Sequence, residues 1–283
     1  MEEYVCFNGV FTKISQVGIS VRNRSFLYGD GLFETIHANG TIPQFLDKHL
    51  NRLFNGMKLL NMNIPDFFNH EYIFKKIQGV LVRNKLFKGA KVRLIVFRNE
   101  GGLYTPETDD VSFIIDSSKL ENYKYVLNEK GFFVDIYQDL KKSINKYSHL
   151  KTTNALIYVL AGIYKRKNKF DECIILNENN KICETISSNV FLVKDDVFFT
   201  PPLSDGCIAG VMREVIIELL KNKGIRVIDN FSLDTDILFE ADEIFLTNSI
   251  NGVRWVLGLQ KRRYFNNYSK EITNLLNQTY IVD

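Results

Sequence analysis

The sequence predicts an α/β fold, an α+β N-terminal domain followed by a mixed α/β C-terminal domain. Three observations carry this. Asn8-Gly9 and Asn39-Gly40 each stand between short runs of strand formers, the strongest short hairpin signal. Leu50, Leu53, Phe54, Met57 and Leu60 fall on one helical stripe. In the second half, apolar β-rich runs such as Cys173–Leu176 and Ser188–Val193 alternate with helical patterns. At 283 residues the chain has room for two domains and buries about three quarters of its unfolded surface.

Taken in order, Tyr4 to Ile14 reads as two strands about Asn8-Gly9, and Arg24 to Gly31 as a glycine-punctuated loop. Leu32–Ala38 and Thr41–Phe45 give a second hairpin. Asp47 is placed to cap the helix that follows, and a second helix runs from about His70 to Asn84. Val92–Phe97 and Val111–Ile115 are strands. Asp116 to Asn128 is polar and weakly patterned. The division is therefore an N-terminal domain over 1–119, a linker over 120–128 and a C-terminal domain over 129–283. In the second domain, strands are expected near Phe132–Ile136, Cys173–Leu176, Lys181–Thr185, Ser188–Val193, Val197–Thr200 and Glu243–Thr247. Helices are expected from about Ala155, over Val211–Lys223 with Gly224 as the stop, and over Ser269–Gln278.

A net charge of +3 with scattered basic residues points away from nucleic acid. Cys6, Cys173, Cys183 and Cys207 form no C-x-x-C pair and the histidines are far apart, so no metal site is expected. No apolar run reaches the roughly 20 residues of a membrane helix. Met-Glu-Glu does not open a signal peptide, and the expected location is cytoplasmic.

Lys151 lies in Tyr147-Ser-His-Leu-Lys151-Thr-Thr-Asn154, directly before the apolar run Ala155–Ala161. Thr152, Thr153 and Asn154 are N-cap types, which places the lysine at the first turn of a mostly buried helix. A cation is misplaced there, and that would help lower its pKa toward the range amine chemistry needs. Glu184 stands at a strand end among small hydroxyl residues, in Glu184-Thr-Ile-Ser187-Ser188-Asn189. Ile208-Ala-Gly210-Val211-Met212 precedes a helix start whose free amides attract phosphate. Thr247-Asn248-Ser249 adds donors at another strand end, and Arg52 offers a phosphate partner on the first long helix.

Together these segments resemble the class IV aminotransferase family, the fold type IV pyridoxal-phosphate enzymes. That family includes branched-chain and D-amino acid aminotransferases and aminodeoxychorismate lyases. The resemblance covers nearly the whole chain, with its markers in the family's order. It implies that Lys151 forms the Schiff base with pyridoxal 5'-phosphate and that Glu184 faces the pyridine nitrogen. It further implies that Arg52, Ser187, Ser188, Asn189, Ile208, Gly210, Val211, Met212, Asn248 and Ser249 bind the cofactor. Met212 stands where members commonly have threonine. Tyr28, Thr35, Arg98, Tyr104 and Asn248 would line the substrate side.

The resemblance also implies a cofactor site between the domains and a homodimer acting on an amino acid or 2-oxo acid. Subgroup signatures are each incomplete. Branched-chain members usually carry Arg-Ala-Tyr where this chain has Leu32-Phe-Glu-Thr35. The Arg-x-His trap of D-amino acid members is absent after Arg98. The lyases share the paired glycines Gly101-Gly102 and a threonine at Thr35, but often have an arginine where Leu103 stands. Transamination is the leading expectation, aminodeoxychorismate lyase the second, and a non-catalytic relative the third.

Overall fold

The computed structural model describes residues 3 to 281, which form two units. The first runs up to Lys124 and also takes in Leu150–Ala155; the second holds Tyr125–His149 and the residues from Leu156 onward.

The first unit is a six-stranded antiparallel sheet with two long helices on it. The hairpin β1 (Tyr4–Phe7) and β2 (Val10–Lys13) turns at Asn8 and Gly9, both at positive φ. A five-residue helix, α1 (Arg24–Tyr28), replaces the expected loop. It is too short to leave a periodic pattern and starts because the Asn23 side chain accepts from the amides of Ser25 and Phe26. β3 (Gly31–Asn39) and β4 (Ile42–Pro43) form the second hairpin. α2 (Leu46–Leu59) follows, capped not by Asp47 but by Phe45 in a left-handed conformation, with Asp47 in the first turn. α3 (His70–Arg83), β5 (Gly89–Arg98) and β6 (Val111–Lys119) complete the unit. β6 absorbs Asp116 to Lys119, the start of the polar stretch. The sheet order is β2-β1-β6-β5-β3-β4. Leu32 and Ile36 of β3, Leu50, Leu53 and Met57 of α2, Ile73 and Ile77 of α3 and Leu94 of β5 meet in its core.

Residues 150–155, assigned from sequence to the second domain, pair with β3 instead. Phe33 N–H donates to the Lys151 carbonyl at 2.9 Å, and Thr153 N–H to the Gly31 carbonyl at 2.9 Å. Leu150 is buried in the first unit's core.

The second unit is a nine-stranded mixed sheet. Its strands are β7 (Phe132–Lys142), β8 (Glu172–Asn177), β9 (Ile182–Thr185), β10 (Asn189–Lys194), β11 (Val197–Phe199), β12 (Val227–Ile228), β13 (Glu243–Asn248), β14 (Gly252–Leu259) and β15 (Arg262–Arg263). The order is β12-β11-β10-β13-β14-β7-β8-β9, with β15 on β14. The helices are α4 (Leu156–Asn168), α5 (Val211–Asn222), the single turn α6 (Ile237–Glu240) and α7 (Asn267–Tyr280). Phe191 and Phe245, stacked at 5.0 Å, are fully buried. α4 departs from the sequence reading: it begins five residues after Lys151, and of its apolar run only Ala161 is buried. Among the described residues no helix is long and apolar enough to cross a membrane.

Candidate active site

Each unit carries part of the predicted site. In the first, alternation along β3 turns Leu32, Glu34 and Ile36 toward α2 and leaves Phe33 and Thr35 on the opposite face. Lys151 lies outside any helix, held by its backbone bond to Phe33, and its ammonium sits 4.4 Å from the Phe33 ring centre. Thr35 therefore shares a sheet face with the aromatic ring under the Lys151 amine. Lys151 does not stand in the first turn of a helix, contrary to the sequence expectation, because α4 starts only at Leu156.

Arg52 on α2 makes a bidentate pair with Glu34. Nε donates to Oε1 at 2.8 Å and Nη2 to Oε2. His49, one turn earlier, meets Glu34 Oε2 through Nδ1 at 2.6 Å. Burial works against the Glu34 charge, but Arg52 and His49 outweigh it and bring the carboxyl down to about 2. An ionised carboxylate only accepts, so His49 Nδ1 is the donor. Burial holds His49 below its ordinary pKa, with a further lowering from Arg52 and Lys151, against the opposing pull of Glu34.

Tyr28, Arg98 and Tyr104 line one cavity of about 330 Å³ with Arg24, Asp30 and Pro106. Thr35 is not among its lining residues. Arg98 is 6% exposed and tied down on all three nitrogens. It reaches Asp30 at 3.0 Å, the Leu60 and Asn61 carbonyls at 2.6 and 3.2 Å, and Asp109. Arg24 shares Asp30 at 2.8 Å and holds the Gly101 and Leu103 carbonyls. Arg24 thus holds the Gly101–Leu103 stretch directly, while Arg98 ties the far end of the same loop at Asp109.

In the second unit Glu184, 2% exposed, stands one residue before the end of β9 with three donors on its carboxylate. Tyr158 OH reaches Oε1 at 2.7 Å, Lys142 Nζ pairs with the same oxygen, and Ile208 N–H donates to Oε2 at 2.8 Å. The Ile208 carbonyl accepts from Asn189 Nδ2 at 2.9 Å and from Gly210 N–H at 2.8 Å. Gly210 then caps α5, whose first helical bond is Glu214 N–H to the Gly210 carbonyl. The amides of Val211, Met212 and Arg213 therefore have no intrahelical acceptor. A Cβ at Gly210 would fall 1.9 Å from Asn189 Oδ1, so the cradle requires glycine. Met212 is buried, leaving its amide as its polar group. Asn248 Nδ2 donates to Ser188 Oγ at 2.9 Å, and its Oδ1 accepts from the amides of Ile250 and Asn251, fixing the turn after β13. Ser187 Oγ faces Glu172 at 3.4 Å.

The family model described as amino-transferase class IV matches residues 31–258, most of the chain and both halves of this geometry. The chain belongs to the class IV aminotransferase family. It is thus an enzyme of the aminotransferase class, in the fold type IV architecture expected from sequence. The branched-chain-amino-acid aminotransferase of Escherichia coli (strain K12) is 26% identical over 91% of this chain and 86% of its own. A crystal structure of the E. coli branched-chain aminotransferase superposes with a TM-score of 0.88 at 23% identity, over 99% of this chain and 95% of that one. The aminodeoxychorismate lyase of Vibrio harveyi is 27% identical over 87% of this chain and 89% of its own. A further branched-chain aminotransferase, solved with pyridoxamine 5'-phosphate, has a TM-score of 0.85 at 22% identity, over 98% of this chain and 93% of that one.

Sequence reasoning missed Glu34, His49 as its partner, Lys142 and Tyr158 in this enzyme. Glu34 could have been found from Arg52, since a guanidinium on a buried helix face needs a carboxylate. Lys142 and Tyr158 left no local signal.

Proposed function

We propose that this aminotransferase moves an amino group between an amino acid and a 2-oxo acid, using pyridoxal 5'-phosphate. The observation that carries it is the segment Ile208–Met212. It joins the Glu184 carboxylate, through the Ile208 N–H, to the open amides at the start of α5. A carboxylate at one end and free amides at the other fit a protonated pyridine ring bearing a phosphate. When bound, that cofactor supplies a carbonyl that amines can take up and a ring that draws electrons.

The chain's own residues do the rest. In the second unit the amides of Val211 and Met212 would hold a phosphate, among strand ends braced by Ser188, Asn189, Asn248 and Ser249; in the first unit Glu34 keeps the Arg52 guanidinium oriented as a phosphate partner. Glu184 favours a proton on the ring nitrogen. Lys151 would hold the cofactor, and its amine would serve as the base that moves the proton from the substrate Cα. Tyr28, Tyr104 and Thr35 line the substrate side. Arg98, bound into the structure by four hydrogen bonds, acts there by shaping the loop rather than by taking a carboxylate directly. Leu156 and Val159 of α4 are 63% and 56% exposed, an apolar surface that supports a homodimer.

A second reading, aminodeoxychorismate lyase, is favoured by one feature. Gly101 and Gly102 adopt positive φ, and a Cβ at Gly102 would lie 2.0 Å from the Thr105 carbonyl, so the loop needs its paired glycines. The test is a single turnover with an amino acid alone. Transamination releases one equivalent of 2-oxo acid and leaves the cofactor in its amine form. Rapid 4-aminobenzoate release from aminodeoxychorismate, with no amine form for any amino acid tried, would overturn it.

A further inference from the structure

Lys142 is the last residue of β7, and the pairing there is irregular. Tyr137 stands opposite Ile175 and Lys142 opposite Asn177, so five residues of β7 advance against two of β8. Gln138, Asp139 and Leu140 bulge out and are exposed, while Lys142 is turned inward and only 8% exposed. A lysine is rarely buried without a partner. Here its ammonium contacts Glu184 Oε1 and the Tyr158 hydroxyl, the latter at 2.8 Å.

We propose that Lys142 is a positioning residue that keeps the Glu184 carboxylate charged and aimed at the cofactor's ring nitrogen. The inference rests on the reading of Glu184 as the partner of that nitrogen.

The groups facing Glu184 come from every element packed on it. β7 brings Lys142 and α4 brings Tyr158. The strand of Glu184 itself adds Cys183. The segment before α5 adds Cys207 and the Ile208 amide, with Asp205 and Arg213 acting on Cys207. Burial, then the Glu184 charge, pushes the Tyr158 hydroxyl well up, so it remains a donor. Burial raises both thiols as well, Cys207 to about 12, so neither carries charge. Lys142 is then the cation in direct contact with Glu184 among the described residues. It compensates the carboxylate while one lone pair of Oε2, beside the Ile208 amide, stays available to a ring N–H.

The test compares cofactor affinity against pH for the wild-type enzyme, Lys142→Met and Lys142→Arg, using pyridoxal 5'-phosphate itself as the titrant. An opposite charge at contact is worth ~1–3 pKa units to a carboxylate. In Lys142→Met the acid limb of the profile should therefore move up by about one unit or more, a loss of about tenfold in affinity on that limb. Lys142→Arg should keep the wild-type limb. If Lys142→Met does not fold, Lys142→Gln is read the same way. A loss parallel at every pH, or an unshifted limb, would overturn the proposal and leave Lys142 as packing. The ring ¹⁵N signal of bound, labelled cofactor separates this from the underlying reading. If Glu184→Gln leaves that signal unchanged, the reading of Glu184 is wrong. If Glu184→Gln changes it and Lys142→Met leaves the acid limb unshifted, only the role of Lys142 is lost.

Discussion

Glu34→Gln keeps the shape of the side chain and removes its charge from a site that is 1% exposed. The wild-type carboxylate takes two bonds from Arg52 and one from His49. Its carboxyl lies at about 2, against an ordinary 4.5. At 1.36 kcal/mol per pKa unit that difference is about 3 kcal/mol of stability. Breaking a buried pair from one side costs a similar ~3–5 kcal/mol. In a chain of this size each kcal/mol moves the Tm by about 2–4 °C, so the variant should melt about 6–12 °C lower at pH 7. The sign fixes the pH dependence. A depressed carboxyl stabilises fully above its unfolded value and loses that contribution as pH falls through the folded one. The gap between wild type and variant should thus be constant down to about pH 5, narrow below it, and close near pH 2. Thermal melts in a pH series measure this directly. A gap of under about 2 °C at pH 7, or one that stays open in acid, would refute the reasoning.

Three further outcomes follow from the same geometry. Lys151→Ala should lose the visible absorbance of the bound cofactor and all turnover, checked by spectrum and assay on one preparation. Glu184→Gln should still bind phosphate but turn over orders of magnitude more slowly; a loss below about threefold, under ~1 kcal/mol of barrier, would make Glu184 structural. Gly210→Ala places a Cβ 1.9 Å from Asn189 Oδ1. It should cost ~1–3 kcal/mol in melting experiments and weaken cofactor binding in a fluorescence titration, because Asn189 must release the Ile208 carbonyl.

Much of this was legible because local sequence decided it. Asn8-Gly9 and Asn39-Gly40 set hairpins, and the stripe from Leu50 to Leu60 set α2. Gly210 before Val211 marked a helix start with open amides. The misreadings share a cause, which is that pairing at long range overrides local propensity. Thr152, Thr153 and Asn154 have N-cap side chains, yet the backbone there satisfies its hydrogen bonds on β3. The apolar run after Asn154 suggested burial, but apolar composition does not say how far the chain's own residues cover it, and α4 is only half covered, with Leu156 and Val159 exposed. Strand β14 went unread although Asn251-Gly252, the same dipeptide that set the first two hairpins, stands at its start. Arg98 looked like a ligand for substrate until its partners Asp30 and Asp109, 68 and 11 residues away, were seen to occupy it. Lys142 and Tyr158 reach Glu184 across 42 and 26 residues, spacings that no periodicity carries.

The central claim is that Lys151 carries the cofactor of this aminotransferase. Borohydride reduction of the holoenzyme, followed by peptide mapping, tests it most directly, because the chain offers a buried amine elsewhere in Lys142. The account predicts one phosphopyridoxyl group per chain, on the peptide containing Lys151, and none on Lys142 or in Lys151→Ala. A label on Lys142, or on any lysine other than Lys151, would contradict it.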